Sequence, residues 1–399
     1  MKIKTPAIHI IAFCSHGSGI SGGDRIFMEF ARQWAEKFKV KIYIEKEGYD
    51  MCQRQKLEMP NIAFQIVDLR FWRRFGFFIN YMARVFYSIK LGLSQKLENS
   101  SSTIVYSASE FWMDAIPGYI FKLRFPKITW ASTWYQTAPN PLKGFAEGKR
   151  SGKYRSRALL YWLSQLPIKP LIAQKADYVL VNNEDEKRRY PRLNEQKRVV
   201  VVIGAVHVAE TEKFKKEHPG IKKVYDAVYQ GRFHAQKGVV ELIEIWKKVV
   251  DEKPSAKLVM VGDGPLMSEV KDRIKQEKLE KNITLLGYLF DGVKKYTTFA
   301  QSKIVVHPAF YDSGGMAAAD AMAFGLPCVG FDLISYKSYY PYGMVKVEIG
   351  NTSAFAKAII KLLDDEKMQA KMGQEAVKMI REGWSWEKRA KDILDIITK

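Results

Sequence analysis

Short apolar runs alternate with amphipathic helical stretches along this 399-residue chain, and they do so in two separate series. The first series reads IHIIAF, RIFMEFARQWAEKF, VKIYI, an aromatic helix, STIVYSAS, KITWAST, DYVLVNN and VVVVI. The second places DAVYQ, KLVMVG, ITLLG, KIVVHP and PCVGFD as strands, with GVVELIEIWKKVV, MSEVKDRIKQEKL and GMAAADAMAFG as helices between them. Strands that are apolar throughout belong to parallel sheets covered on both faces, and the intervening helical periods supply the cover. Residues 204–220, GAVHVAETEKFKKEHPG, turn polar and irregular and read as a linker. The expectation is α/β: two doubly wound Rossmann-like domains, 1–205 and 223–382, joined by a linker at 206–222 and followed by a helical segment at 383–399. Ligands in such sheets sit beyond the carboxyl ends of the strands, here in a cleft between the domains.

Composition narrows the partners. With 47% hydrophobic residues and no low-complexity tract, the chain is expected to fold into a large core. Cys14, Cys52 and Cys328 are an odd number without Cys-x-x-Cys spacing, which fits reduced thiols in the cytoplasm. FFINYMARVFYSIKLGL is broken by Arg84 and Lys90, and ALLYWLSQLPIKPLIA by Pro167 and Lys169, so neither reads as a membrane span. The opening MKIKTPAIHIIAF has the lysines of a signal peptide, but it runs straight into a glycine loop and reads better as a first buried strand.

The net charge of +21 is uneven: residues 1–200 hold 33 Lys and Arg against 17 Asp and Glu, leaving 31 against 26 beyond. Arg70 to Lys96 interleaves cations with aromatics, and Lys143 to Arg157 holds six cations and one Glu. Both stretches fit an anionic membrane surface and a peripheral location at its cytoplasmic face. The plainer reading turns the aromatics of FFINYMARVFYSI toward the core and leaves a solvated basic side. Nucleic acid is not expected, since zinc spacing, ribonucleoprotein aromatics and a basic zipper are all missing.

Two stretches carry chemistry. In GRFHAQKG, Gly231 closes the run VYDAVYQ, and Arg232 and Lys237 follow before a helix. Cations where a strand feeds a helix suit a diphosphate: Arg offers a planar fork of donors and Lys a mobile point charge. In YDSGGMAAADAMAFGLP, Asp312 and Asp320 stand eight residues apart. Gly314, Gly315 and Met316 lie at an expected helix start, where free N–H groups and the helix dipole favour an anion. The plainer readings are solvated cations, a helix-capping Asp312 and a solvated Asp320.

The order of these stretches, with LVMVGDGP (Leu258 to Pro265), NITLLGYL (Asn282 to Leu289) and the tail GWSWEKRAKDIL between and after them, resembles the family 4 glycosyltransferases, retaining enzymes of GT-B fold. The resemblance covers most of the chain from about Tyr225 to Leu394. It implies that Arg232 and Lys237 contact the donor diphosphate of a nucleotide-sugar, with Gly231 at the turn. It implies Asp320 on the ribose and Asp312 near the transferred sugar, both one methylene shorter than the family's two glutamates. It further implies that residues 383–399 cross back to the N-terminal domain, that no metal or other cofactor takes part, and that the acceptor is a glycan or lipid-linked hydroxyl. The chain has no Asp-x-Asp and no clustered His set. The loop ending Gly22-Gly23-Asp24-Arg25 would face donor and acceptor.

Two rival readings remain open in the sequence. Gly17-Ser18-Gly19-Ile20-Ser21-Gly22 has the spacing of a dinucleotide fingerprint, and Glu45 ends the second strand as a ribose acceptor would, which fits an NAD(P)-dependent oxidoreductase. The shortened acids also fit a protein that binds a nucleotide-sugar or a membrane without turnover. The strand end TWASTWYQ lacks the histidine that many family members place near the reacting sugar. His16, Glu110 and Thr133 are the acceptor-side candidates by loop position, each with a structural role as its plainer reading.

Overall fold

Every strand pairing among the described residues is parallel. The computed structural model describes residues 7–15, 20–142, 144 and 155–399. They divide into two units: one built from residues up to Ala138, Leu160–Gly204 and Trp386–Lys399, the other from Pro139–Leu159 and Ala205–Ser385. His16, Gly17 and Gly19, and most of the basic loop Lys143 to Arg157, lie outside the described residues.

The first unit holds β1 (Ala7–Ala12), β2 (Lys39–Glu45), β3 (Ile62–Val67), β4 (Thr103–Ser107), β5 (Thr129–Trp134), β6 (Tyr178–Val181) and β7 (Val199–Val201). Their order is β3-β2-β1-β4-β5-β6-β7, so the winding reverses between β1 and β4. Ile8, Ile10 and Ile11 of β1 are fully buried, as a central strand covered on both faces requires. The helix Trp386–Ile397 belongs to this unit. It buries Trp386, Ala390, Ile393 and Ile397, one face at helical spacing, and its Ala390 carbonyl accepts the Trp34 indole N–H at 2.9 Å.

The second unit holds β8 (Tyr225–Gln230), β9 (Leu258–Val261), β10 (Ile283–Gly287), β11 (Ser302–His307), β12 (Cys328–Phe331) and β13 (Met344–Val347), in the order β10-β9-β8-β11-β12-β13. The reversal falls between β8 and β11. The helix Val239–Glu252 buries Val239, Leu242, Ile243, Trp246 and Val249 in the same core as Tyr229 and Met260 of the sheet.

Three features depart from the sequence reading. The stretch expected to be an irregular linker contains a helix, Val208–Glu217, that buries Thr211 and Phe214. β3 and β13, which no apolar run announced, are both sheet edges with several part-exposed positions. The third concerns the aromatic helix Phe77–Ser94, whose buried positions are Arg84, Val85, Ser88, Leu91 and Gly92. Phe77, Phe78 and Phe86 are 66%, 70% and 65% exposed. These three phenylalanines therefore do not face the core, while Tyr81 does pack on it, because the opposite face closes on the helix Trp112–Arg124: a Cβ at Gly92 would already touch Pro117 and Ile120 at 3.2 Å.

Candidate functional site

After β8 the chain turns at Gly231, passes the exposed Arg232, and tightens into a 3-10 turn over Ala235–Lys237 whose N-cap is His234. Gly238, at φ 64°, hands this turn to the helix Val239–Glu252. A Cβ at Gly238 would stand 2.0 Å from the Pro308 carbonyl oxygen, so the residue must be glycine for the loop after β8 to lie on the loop after β11. The Gln236 carbonyl then accepts the N–H groups of Phe310 (2.8 Å) and Tyr311 (3.1 Å). Both loops leave the sheet at its winding reversal, the place where α/β sheets receive ligands.

Asp312 is the hub of this junction, with its side chain only 8% exposed. Oδ1 accepts the N–H groups of Gly314 (3.3 Å) and Gly315 (3.1 Å). Oδ2 accepts Lys237 Nζ, His307 Nε2 at 3.0 Å and the Tyr336 hydroxyl at 3.2 Å. Five donors exceed the roughly four lone-pair sites of a carboxylate, so the group is saturated from within the unit. Burial alone would push the Asp312 carboxyl up, but the Lys237 charge and the His307 hydrogen bond hold it well below the usual carboxylate range. Burial keeps His307 below its ordinary value, against the pull of Asp312. A neutral His307 facing an ionised Asp312 must carry its proton on Nε2, which leaves Nδ1 as a buried acceptor without a hydrogen-bond partner among the described residues.

The glycine amides correct the sequence reading. Gly314 and Gly315 do not offer free N–H groups to a ligand, because Asp312 takes both; Gly315 at φ 60° is the N-cap, and the helix proper starts at Met316.

Asp320 sits one turn into the helix Met316–Met322, its side chain 13% exposed. Its Oδ2 accepts Lys295 Nζ at 2.7 Å and Gln230 Nε2 at 3.2 Å. Lys295 is buried and also bonds Asp291 at 2.8 Å. The Gln230 Oε1 atom is buried without a partner among the described residues. Arg232, Lys237, Asp312 and Asp320 are thus gathered around the ends of β8 and β11, as their spacing suggested. His307, Tyr336, Lys295 and Gln230 were missed. The only trace of His307 was its place at the strand end of KIVVHP; the others are joined to the acids by folding alone.

In the first unit, Ser21 caps the helix Gly22–Trp34 in a capping box with Asp24, so Gly22 and Gly23 form its first turn. The loop before it is braced from both sides. Asp114 Oδ1 accepts the Phe13 N–H (2.6 Å) and Cys14 N–H (3.2 Å), and Arg84 donates to the carbonyls of Phe13 (3.1 Å) and Ser15 (3.2 Å). Burial pushes the Asp114 carboxyl up to about 8 against three hydrogen bonds. Glu110 is also buried, accepts from Tyr161, Gln165 and the Tyr135 N–H, and is raised by burial to about 7. Thr133 lies inside β5 with no exposure, so it offers nothing to an acceptor. Glu45 is fully buried, pairs with Arg84 at 3.3 Å and caps the helix Lys46–Arg54. A carboxylate so committed is unsuited to a cofactor ribose, which counts against Glu45 as the ribose acceptor of the dinucleotide reading.

Comparison with known proteins agrees with this layout. Residues 208–379 match the family model described as Glycosyl transferases group 1, a span that includes the gathered residues at β8 and β11. Over 190 residues, 45% of this chain, the sequence is 28% identical to N-acetyl-alpha-D-glucosaminyl L-malate synthase of Bacillus anthracis. The match spans 49% of that relative's length and less than two thirds of several other curated relatives. Across 99% of this chain and 100% of the other, the fold superposes on S. aureus TarM crystallised with Fondaparinux, alpha-GlcNAc-glycerol and UDP, at a TM-score of 0.71 and 13% identity. Anabaena HepE in complex with UDP-glucose superposes over 98% of this chain and 99% of that one, at a TM-score of 0.70 and 12% identity. Two parallel sheets, each reversing its winding at the fourth strand, and their superposition on TarM and HepE identify this chain as a GT-B fold protein whose residues 208–379 are similar to the glycosyl transferases group 1 family.

Proposed function

We propose that this protein is a glycosyltransferase that moves a sugar from a nucleotide diphosphate-sugar to an acceptor hydroxyl, retaining the anomeric configuration and using no metal ion. The observation that carries the reading is the cation pair after β8: an exposed Arg232 and a Lys237 anchored on a buried, ionised Asp312. The family match over the same residues and the UDP ligands of the two structural neighbours support it.

In this mechanism the bond between the anomeric carbon and the diphosphate oxygen breaks with its electron pair going to the diphosphate. Arg232 and Lys237 stabilise that growing charge. The acceptor hydroxyl attacks from the same face and hands its proton to the departing phosphate oxygen, so no protein base and no covalent intermediate are required. Asp320 takes the ribose hydroxyls, with its geometry fixed by Lys295 and Gln230. Asp312 acts by holding Lys237. The acceptor is a glycan or a lipid-linked hydroxyl met at the cytoplasmic face of a membrane.

The test is a thermal-shift and diphosphate-release screen against uridine, guanosine and adenosine diphosphate-sugars, with NAD and NADP as controls. Stabilisation by one nucleotide-sugar with slow release of its diphosphate supports the reading, and Arg232→Ala should abolish release with an unchanged melting curve. Unchanged release in Arg232→Ala would remove the diphosphate role, and stabilisation by NAD or NADP alone would overturn the whole reading. A binding protein without turnover is favoured by one feature: the saturated Asp312 presents no carboxylate to the sugar ring. Tight nucleotide-sugar binding with no release or transfer across an acceptor panel would select it.

A further inference from the structure

Arg70 to Ile79, RFWRRFGFFI, lies between β3 and β4, and all ten residues are exposed. The 3-10 turn Arg70–Phe75 buries none of its residues. Phe71 meets Trp72 and Phe75 edge to face, Trp72 and Phe75 are tilted against each other, and the Arg74 guanidinium lies 4.1 Å over the Phe71 ring. The helix that follows, Phe77–Ser94, would ordinarily turn polar residues outward. Its outer stripe instead reads Phe78, Met82, Phe86, one turn apart, and reaches a cation only at the exposed Lys90. An apolar surface of this extent on a soluble unit marks an interaction site.

Charge identifies what covers it. The exposed charged residues of 70–96 are Arg70, Arg73, Arg74, Lys90 and Lys96, and the stretch holds no acidic residue. A second copy docked by a two-fold axis would bring Arg73 and Arg74 toward their own counterparts. A phospholipid layer offers the opposite: phosphates at the depth of the arginines and hydrocarbon below for the rings. Arg70 pairs with Asp68 and Arg73 with Glu47, but both guanidinium groups are more than half exposed, and such pairs are weak enough in water to share their donors with a phosphate. No helix among the described residues is long and apolar enough to cross a membrane.

We propose that residues 70–90 form a membrane-seating face that inserts Phe71, Trp72, Phe75, Phe77, Phe78 and Phe86 into the headgroup boundary of a phospholipid surface. The same helix, on its inner side, holds the carbonyls of Phe13 and Ser15 through Arg84, so the seating face is braced to the loop that leaves β1. That arrangement deepens the transferase reading by bringing the loop expected to face the acceptor close to hydroxyls carried at headgroup level. Lipid binding itself does not depend on that reading.

The experiment is co-sedimentation of the full chain with vesicles of phosphatidylcholine, alone and mixed with phosphatidylglycerol. Wild-type protein is expected to sediment with the mixed vesicles and to remain partly bound in high salt, because ring insertion is not screened. The variant Phe71→Ser/Phe75→Ser/Phe77→Ser/Phe78→Ser should lose binding by roughly tenfold or more, with unchanged circular dichroism and nucleotide-sugar thermal shift. The control Ile334→Ser, at an exposed apolar residue of the second unit, should bind like wild type. Wild type left in the supernatant with both vesicle types, or a serine variant that still sediments, overturns the proposal. So does a wild-type dimer that the serine variant converts to a monomer without any vesicle binding, since a second copy then covers the face. Nucleotide-sugar turnover is read separately, so failure here and failure of the transferase reading are distinguishable.

Discussion

Asp114 and Asp312 do the same mechanical job in the two units and end in opposite charge states. Each is a buried carboxylate that accepts backbone N–H groups from a loop at a winding reversal, Phe13 and Cys14 for one, Gly314 and Gly315 for the other. Asp114 adds only the Ser109 hydroxyl, at 2.5 Å, and burial drives it up to about 8. Asp312 adds the Lys237 ammonium, the His307 N–H and the Tyr336 hydroxyl, and stays ionised well below the usual range although its side chain is only 8% exposed. Backbone amides position a buried acid, but a cation decides whether it carries charge. The first unit uses its acid to shape a loop. The second uses its acid to fix a cation in place.

The comparison breaks most visibly at Asp312. Asp312→Ala leaves Lys237 without its counter-charge and frees two buried amides, and should cost the second unit roughly 3–4 kcal/mol, read by urea unfolding. Lys295→Met tests the same logic at the second acid. It leaves Asp320 and Asp291 without their cation, and a loss of about 2 kcal/mol is expected by the same measurement.

Stability against pH sharpens the contrast further. An unfolded Asp gives up its proton near pH 4, whereas folded Asp114 keeps its proton to about 8 and Glu110 to about 7. Between those values the folded first unit binds more protons than the unfolded chain, so its stability falls as pH rises. Asp312 works the other way: its contribution is complete above the unfolded value and disappears as pH drops toward its lowered folded value. Amide hydrogen exchange followed unit by unit should therefore show a stability that falls between about pH 4 and 8 in the first unit and one that rises with pH below about 4 in the second. Lys237→Met should weaken or reverse the slope of the second unit, making Asp312 resemble Asp114. The smallest effect is expected from Asp114→Asn, an amide of nearly the same shape as the protonated acid. It should cost less than about 1 kcal/mol near neutral pH and flatten the decline between pH 4 and 8 in thermal melts.

The interior of both sheets was legible in the sequence because a strand covered on both faces has to be largely apolar, as LVMV is throughout and IHIIA is but for His9. β3 and β13 were not, because an edge strand with part-exposed side chains has no such run. The cations and acids around β8 and β11 could be picked out by type and spacing. Their bonding could not: Lys237 and Asp312 are 75 residues apart, and Lys295 and Asp320 are 25 apart on different elements. The outward aromatics were misread in their plainer sense because periodicity tells that a helix has two faces without telling which one is buried. Here the buried face carries Arg84, Val85, Ser88, Leu91 and Gly92, and only at Gly92 does the close approach of a second helix demand a small residue.

The helix Trp386–Ile397 completes the first unit from the far side of the sequence, 356 residues from the indole of Trp34 that bonds its Ala390 carbonyl. During synthesis every strand of the first sheet emerges long before that helix does, and so does the whole second sheet. All strands of the second unit are therefore made while the first unit still lacks the helix that bonds Trp34. Loop closure over such a distance is slow relative to local assembly. Both sheets are thus made before the last helix of the first unit is available to close it.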